Sequence, residues 1–205
     1  EFSDMAEVHD VDSALIERTR NWLLAQRLPN GAWSAGGRNF HGLDAFQSDA
    51  DLALTAYVAW ALVDRRPAGF ANSQATLDFL LNREPATIDD PYVLALVTRA
   101  IAAIDDAHCQ AYVDRLMDLM QREADGKRIF WRQPQGSRTM FYGSGASGDI
   151  ETTAMAALAL LAAKEEPTAV RGALTWLVEQ KDSRGAWHST QATVLALKAL
   201  IEGTG

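Results

Sequence analysis

One local pattern occurs twice in this chain with all of its internal spacings preserved. Residues 22–33 carry Trp-Leu, a glutamine and Gly-Ala-Trp, and residues 176–187 carry the same residues at the same offsets. In each copy the last turn of an amphipathic helix leads into a loop with a glycine and a second tryptophan, and a strongly apolar helix follows. Two copies with every offset kept indicate an internal repeat, which predicts stacked helical hairpins.

Two kinds of helix alternate along the chain. Segments such as 12–27 are apolar on one face only, which is typical of a helix at the outside of a fold. Segments such as 50–64 are apolar nearly all round, which a helix tolerates only when other helices enclose it. The predicted outer helices are 12–27, 73–83, 107–122 and 168–181, and the predicted inner helices are 50–64, 91–104, 150–164 and 189–202.

Residues 127–142 depart from the helical pattern. The apolar triplets 129–131 and 140–142 flank a turn-forming stretch at 133–137, which predicts a short β-hairpin set between helices. The small, glycine-rich residues 143–148 predict a flexible connection.

The alternating helices predict an all-α fold of the α/α-toroid class, related in shape to terpenoid cyclases and prenyltransferases, with the β-hairpin as an insertion. We expect residues 1–205 to form one domain, with 1–10 as a possible tag or linker. Four hairpins are fewer than the six of a closed ring. The chain is therefore expected to form a smaller or open ring, or the later part of a larger one, and to expose apolar surface at the break, through which copies can associate.

The charge and the cysteine content exclude several classes of function. The chain has 27 acidic residues against 19 lysines and arginines, a net charge of -8, so the basic face of a nucleic-acid-binding protein is not expected. No apolar run has the length of a membrane span, and residues 1–4 lack the features of a signal peptide. Cys109 is the single cysteine, which excludes an internal disulfide.

Several motifs resemble, in order and spacing, the thioester domain of the α2-macroglobulin and complement family. Residues 176–200, with Ser-Thr-Gln-Ala-Thr at 189–193, are similar to the end of that domain. The tryptophan and proline at 131 and 134, followed by Ile-Glu-Thr-Thr at 150–153, resemble its tryptophan-proline hairpin and the glutamate-threonine helix that follows. The resemblance covers roughly residues 15–203.

The resemblance implies what the parent molecule does. It would be a bacterial α2-macroglobulin-like protein, periplasmic or extracellular, that traps proteases by acylating a nucleophile on its target. Its partners would be target proteases or surface nucleophiles and its own neighbouring domains. It would need no cofactor, and it would not be an enzyme, because capture occurs once. The family's Cys-x-x-Gln motif is missing, since Tyr112 stands three residues after Cys109. We therefore expect a chemically inert C-terminal part of the domain, in which Cys109 only packs.

One histidine matches a reactive position by resemblance. In complement relatives a histidine ten residues after the glycine of the first motif attacks the thioester, and ten residues after Gly31 stands His41. The resemblance thus implies that His41 is the transacylation histidine; the alternative is an exposed loop histidine without a role. His188 is interpreted as structural, on the same end of the barrel as His41, and His9 and His108 as surface or cap neighbours.

Two other functions remain open from the sequence. A cyclase or prenyltransferase-like enzyme would share the toroid, but the acidic pairs 89–90 and 105–106 directly precede helices, where aspartate caps free amides. Asp106, His108 and Cys109 are too close in sequence to converge on a metal as the widely separated ligands of a prenyltransferase do, so no metal site is expected. The third possibility is an interaction module without a thioester. Five tryptophans are interpreted as wedges between hairpins, not as a terpene pocket: Trp22, Trp33, Trp60, Trp176 and Trp187.

Overall fold

Helices dominate the structure. The computed structural model describes residues 9–36, 46, 49–63 and 70–204 of the chain. The helices are α1 (Ser13–Ala25), α2 (Ala50–Val63), α3 (Ser73–Leu81), α4 (Pro91–Ile104), α5 (Gln110–Asp118), α6 (Gly145–Ala163), α7 (Pro167–Glu179) and α8 (Thr190–Thr204). The strands are β1 (Gln121–Arg122) and β2 (Ile129–Phe130), and single 3-10 turns lie at Pro85–Thr87 and Asp106–His108.

The helices pack in two layers. The apolar helices α2, α4, α6 and α8 pack side by side in this order, and most side chains of α4 and α6 are buried. The more polar helices cover them from outside: α3 lies on α2 and α4, α5 on α4 and α6, and α7 on α6 and α8. Outer and inner helices therefore alternate along the described chain. This confirms the predicted all-α fold of the α/α-toroid class, with a short β-hairpin inserted.

Side-chain caps fix several helix starts. Asp12 and Asp90 each accept a hydrogen bond from the backbone N–H two residues later, at 2.9 and 2.8 Å, and Pro91 takes the first position of α4. Ser189 Oγ accepts the N–H three residues later at 3.0 Å. Such caps satisfy donors that a helix leaves free, and the capping role of Asp90 was predicted. Asn72, the residue before α3, makes no side-chain capping bond.

The predictions for residues 107–142 were wrong in detail. The hairpin pairs β1 with β2, Gln121 opposite Phe130, whereas residues 140–142 form a turn and no strand. Helix α5 is shorter than the predicted 107–122, because a 3-10 turn precedes it and the chain extends into β1 after it. The glycine-rich residues 143–148 already enter helix α6 at Gly145.

The two ends of the array expose apolar side chains. Helix α1 has no fully buried residue, and its Trp22 is 57% exposed. On α8, Leu197 and Ile201 are 45% and 68% exposed. The expected apolar surface at a break in the ring is thus present, while association of copies through it remains a prediction. The wedge interpretation is wrong for Trp22, since no described element covers it; the other four tryptophans interpreted in this way are buried.

Replacing Gly31 with alanine is expected to destabilise the fold more than the same change at Gly185, its counterpart in the repeat. Both have positive φ, 87° and 79°, which costs any other residue about 1–2 kcal/mol. A Cβ at Gly31 would lie 2.2 Å from the backbone carbonyl of Ala75, whereas a Cβ at Gly185 would meet nothing within 4 Å. Overpacking adds about 1–3 kcal/mol at Gly31 only. Urea unfolding of both variants measures the difference, and equal losses would contradict the close contact with α3.

Candidate functional site

The two copies of the sequence repeat fold into the same loop. Gln26 and Gln180 are the C-cap residues of α1 and α7. The indole N–H groups of Trp33 and Trp187 each donate to the backbone carbonyl ten residues earlier, at 2.7 and 2.6 Å. Each loop is thereby fastened to the end of the outer helix that precedes it.

A threonine on the following inner helix completes each loop by accepting the main-chain N–H of the tryptophan. The pairs, with their N to Oγ1 distances, are Trp33 and Thr55 (2.9 Å), Trp131 and Thr153 (3.1 Å), and Trp187 and Thr193 (3.0 Å). The middle pair belongs to a third copy of this loop, which was not predicted from the sequence. The signal for it was present, because 22 residues separate the tryptophan from the threonine in both of the first two pairs.

These loops form one face of the molecule, which we call the loop rim: residues 31–36, 131–145 and 187–189 with the first turns of the inner helices that follow them. Two aspartates near the starts of α2 and α6 each add a further bond. Asp51 accepts the N–H of Ala35 at 2.7 Å, and Asp149 accepts the N–H of Gln133 at 2.9 Å. The inner helices therefore hold the loop rim through side-chain oxygens that accept main-chain N–H groups of the loops.

Glu151 on α6 is a fully buried carboxylate beneath the loop rim. The hydroxyl of Thr139 donates to its Oε2 at 2.5 Å, and the hydroxyls of Ser147 and Ser189 each donate to its Oε1 at 3.3 Å. A Cβ on Gly143 would lie only 2.6 Å from Oε1. Because these residues come from the turn before α6, its first turn and the loop before α8, Glu151 joins three segments of the rim.

The turn held by Glu151 displays aromatic side chains. Thr139 Oγ1 accepts the N–H of Gly143 at 2.8 Å and closes the turn. Phe141 packs edge-on against Tyr57 of α2, with ring centroids 5.7 Å apart. Tyr142 has a φ of 66° and is 48% exposed. A positive φ in a non-glycine residue costs about 1–3 kcal/mol, so the surrounding contacts must hold this turn in place.

Replacing Glu151 with glutamine is expected to change how stability depends on pH. Burial raises the pKa of the Glu151 carboxyl above its ordinary value, and the hydroxyl hydrogen bonds offset this only in part. Between the ordinary and the raised pKa the folded state binds more protons than the unfolded state, so this group's contribution to stability falls as pH rises through that window. The unfolding free energy of wild type minus that of Glu151→Gln should therefore decrease as the pH rises from the ordinary carboxyl pKa, about 4, to above the raised one.

Urea unfolding at several pH values measures this difference, and Glu84→Gln, at an exposed position, is the matched control. The unfolding free energy of the control should depend on pH as that of the wild type does. Asp90 and Asp149, whose pKa values burial also raises, contribute equally to both proteins. A wild-type minus Glu151→Gln difference that stays constant over this range would contradict the prediction.

The structure describes three of the four histidines whose roles were predicted from the sequence. His41 lies outside the described residues, so its role and its position relative to His188 remain predictions. His188 is exposed on the loop rim, with a φ of 54°. His108 Nδ1 lies 3.0 Å from Asp105 Oδ2 at the start of α5, as expected of a cap neighbour, and His9 is exposed.

The other candidate residues have structural contacts. Cys109 is buried at the start of α5. Asp90 caps α4, Asp89 lies 3.0 Å from the guanidinium of Arg115, and Asp105 accepts a backbone N–H of the 3-10 turn at 3.1 Å. Within the described ranges, no three His, Cys, Asp or Glu side chains are grouped closely enough to hold a metal ion. No helix of the described chain has the length and apolarity that crossing a membrane requires.

The sequence of this chain is similar to one protein family and to several of its known members. The sequence model of the A-macroglobulin TED domain matches residues 1–202. Thioester-containing protein 1 allele S1 from Anopheles gambiae is 27% identical over 198 residues, which are 95% of this chain. Ovostatin from Gallus gallus is 26% identical over 211 residues, covering 97% of this chain. The chain spans 14% of the length of each of these relatives.

Proposed function

Because the chain belongs to the A-macroglobulin TED domain family, we propose that it is part of the thioester domain of a protease-trapping protein. In the parent, cleavage by a target protease would expose an internal thioester. A nucleophile on the target would attack the acyl carbon, and the cysteine thiolate would leave. The target would then be joined covalently to the trap in a single turnover.

The observation that supports this proposal most is the family match over nearly the whole chain, from residue 1 to residue 202. The loop rim agrees with it, because three tryptophan-threonine loops make a rigid face to present a reactive group. Cys109 is not the thioester cysteine in this proposal, since it is buried and Tyr112 stands where a glutamine would be needed. The parent would supply the Cys-x-x-Gln motif elsewhere in its sequence.

His41 is the proposed transacylation residue. A neutral imidazole attacks the thioester carbonyl, the new C–N bond replaces the C–S bond, and the thiolate is released. The thiolate then takes the proton of a hydroxyl on the target, whose oxygen attacks the acyl-imidazole. An ester forms and the imidazole leaves unchanged.

The parent is proposed to act outside the cytoplasm, in the periplasm or the extracellular space of a bacterium. A trap that reacts once needs to meet foreign proteases or surfaces there. Its neighbouring domains would shield the thioester until cleavage.

The proposal is tested on the intact parent by treating it with a protease in the presence of labelled methylamine. We expect one methylamine incorporated and one thiol released per chain. The control is the parent in which the cysteine of its Cys-x-x-Gln motif is replaced by alanine, which should show neither. A wild-type parent that incorporates no methylamine and releases no thiol would contradict the proposal and leave an interaction module without a thioester.

A further inference from the structure

A polar cleft of about 460 Å³ opens on the loop rim between residues 132–138 and the start of α6. Arg132, Gln133, Arg138 and Asp149 contribute to its walls. Its volume lies within the range of about 300–1,000 Å³ that is usual for ligand sites. The thioester chemistry proposed above makes no use of these residues.

The cleft wall carries two guanidinium groups and one carboxylate, that of Asp149, so the charged side chains of the cleft sum to a positive charge in a chain whose net charge is -8. Arg138 is exposed, and within the described part of the chain no hydrogen bond or ion pair engages it. Arg132 Nε lies 3.5 Å from Asp149 Oδ2, and its guanidinium lies 5.2 Å from the centroid of the Phe130 ring. These contacts hold one arginine at the cleft while the other remains available for an anionic partner.

The start of α6 adds partial positive charge to the same cleft. Ser144 and Gly145 line it, and Ser144, at the N-cap position, makes no side-chain capping bond. The first turn of this 19-residue helix carries no acidic side chain. A helix start without a cap presents free N–H donors that favour a negative group.

Gln133 adds an acceptor that a simple anion, which has no N–H group, does not satisfy. Its side chain lines the cleft and is only 7% exposed, and its Oε1 has no hydrogen-bond partner. Its Nε2 donates to Asp90 at 3.5 Å. A buried acceptor without a donor costs about 1–3 kcal/mol, so a ligand that brings an N–H group would be favoured.

We propose that this cleft binds an acidic segment of a protein chain. A carboxylate of the segment lies between Arg132 and Arg138, and a main-chain N–H donates to Oε1 of Gln133 after this buried amide group turns toward the cleft. An inorganic anion would pair with the arginines but would leave the glutamine oxygen without a donor. The carboxylate comes either from an acidic side chain or from a chain terminus, two sources with the same chemistry.

The test is an NMR titration of the isotope-labelled chain with three short peptides. Acetyl-Gly-Glu-Gly-amide carries a side-chain carboxylate, acetyl-Gly-Gly-Gly carries a terminal carboxylate, and acetyl-Gly-Gln-Gly-amide carries neither. We expect backbone amide shifts at residues 132–138 and 144–149 with at least one of the two charged peptides, and binding weaker by about fivefold or more with the neutral one. Whichever charged peptide binds more tightly identifies the source.

Arg138→Gln should weaken binding of the charged peptide by about fivefold. Arg171→Gln, an exposed arginine on α7, removes the same charge elsewhere and should leave binding unchanged. The proposal is overturned if the neutral peptide binds equally well, if both variants lose affinity alike, or if the shifts lie outside the cleft. It is also overturned if sodium sulfate causes the same shifts and displaces the peptide at equal concentration, since the site would then bind only simple anions.

Discussion

Trp131→Ala should lower the free energy of unfolding by about 3–5 kcal/mol. The Trp131 side chain is fully buried, and its indole N–H donates to the carbonyl of Leu116 at 2.7 Å. Alanine would leave a large cavity and a buried carbonyl without its donor, and it would weaken the anchor between β2, α5 and α6. Since whole domains are stable by only about 5–15 kcal/mol, this change alone removes a large share of the stability.

Urea unfolding of the variant measures the loss, and Trp22→Ala is the matched control. Trp22 is also a tryptophan of the repeated motif, but its side chain is 57% exposed. Its replacement with alanine should therefore lower the free energy of unfolding by less than about 1 kcal/mol. Trp131→Phe separates the effect of the cavity from that of the lost hydrogen bond. Phenylalanine keeps most of the apolar volume but has no indole donor, so this variant should lose about 1–2 kcal/mol of unfolding free energy. It also serves if Trp131→Ala does not fold. Equal stability of Trp131→Ala and Trp22→Ala would show that the third loop is not an anchor.

The helical fold could be predicted because local signals and burial agree in most segments. Helix α4 begins and ends at the predicted residues, 91 and 104, since Asp90 and Pro91 mark its start and nearly every side chain after them is apolar. Helix α6 starts before the predicted residue 150 although Gly145 and Gly148 are poor helix formers. Its first turn is held by tertiary contacts, such as the 3.1 Å hydrogen bond between the hydroxyls of Ser147 and Ser189, that a local pattern does not show.

Residues at equivalent positions of the sequence repeat are buried to different extents in the fold. Trp22 and Trp176 occupy the same position of the repeat, yet one is 57% exposed and the other 6%. Burial depends on which helices lie on both sides of the hairpin, and α1 is at the end of the described array. Residues 140–142 form an apolar triplet typical of a strand, but the bond from Thr139 to Glu151, twelve residues later, holds them in a turn.

A candidate site could be predicted only where the resemblance to the family gave a residue spacing to count from. His41 came from counting residues after Gly31 in a resemblance, and its surroundings lie outside the described residues. The cleft with Arg132 and Arg138 had no sequence signal, because arginines at this spacing are common on any surface. Its features depend on the fold, which brings residues 132–138 next to the uncapped start of α6 and leaves the oxygen of Gln133 buried.

Replacing His41 with asparagine in the intact parent should change which nucleophiles the thioester transfers to. With the imidazole, transfer to hydroxyls proceeds through the acyl-imidazole, and the released thiolate acts as the base. Without it, nucleophiles must attack the thioester directly, which favours amines over neutral hydroxyls. We expect a large fall in glycerol transfer, about tenfold or more, with methylamine transfer kept, because the covalent route through the acyl-imidazole is lost.

The experiment activates the parent with a protease and offers labelled glycerol and labelled methylamine separately. Methylamine incorporation shows that the thioester is intact in the variant, so a loss of glycerol transfer alone reports on His41. His188→Asn is the matched control, because it removes an exposed imidazole from the described loop rim and should change neither transfer. Each tenfold loss corresponds to about 1.4 kcal/mol in the barrier to hydroxyl transfer. Unchanged glycerol incorporation in His41→Asn would mean that its distance from Gly31 is a coincidence of loop length, and it would leave the chain with a fold and no identified reactive residue.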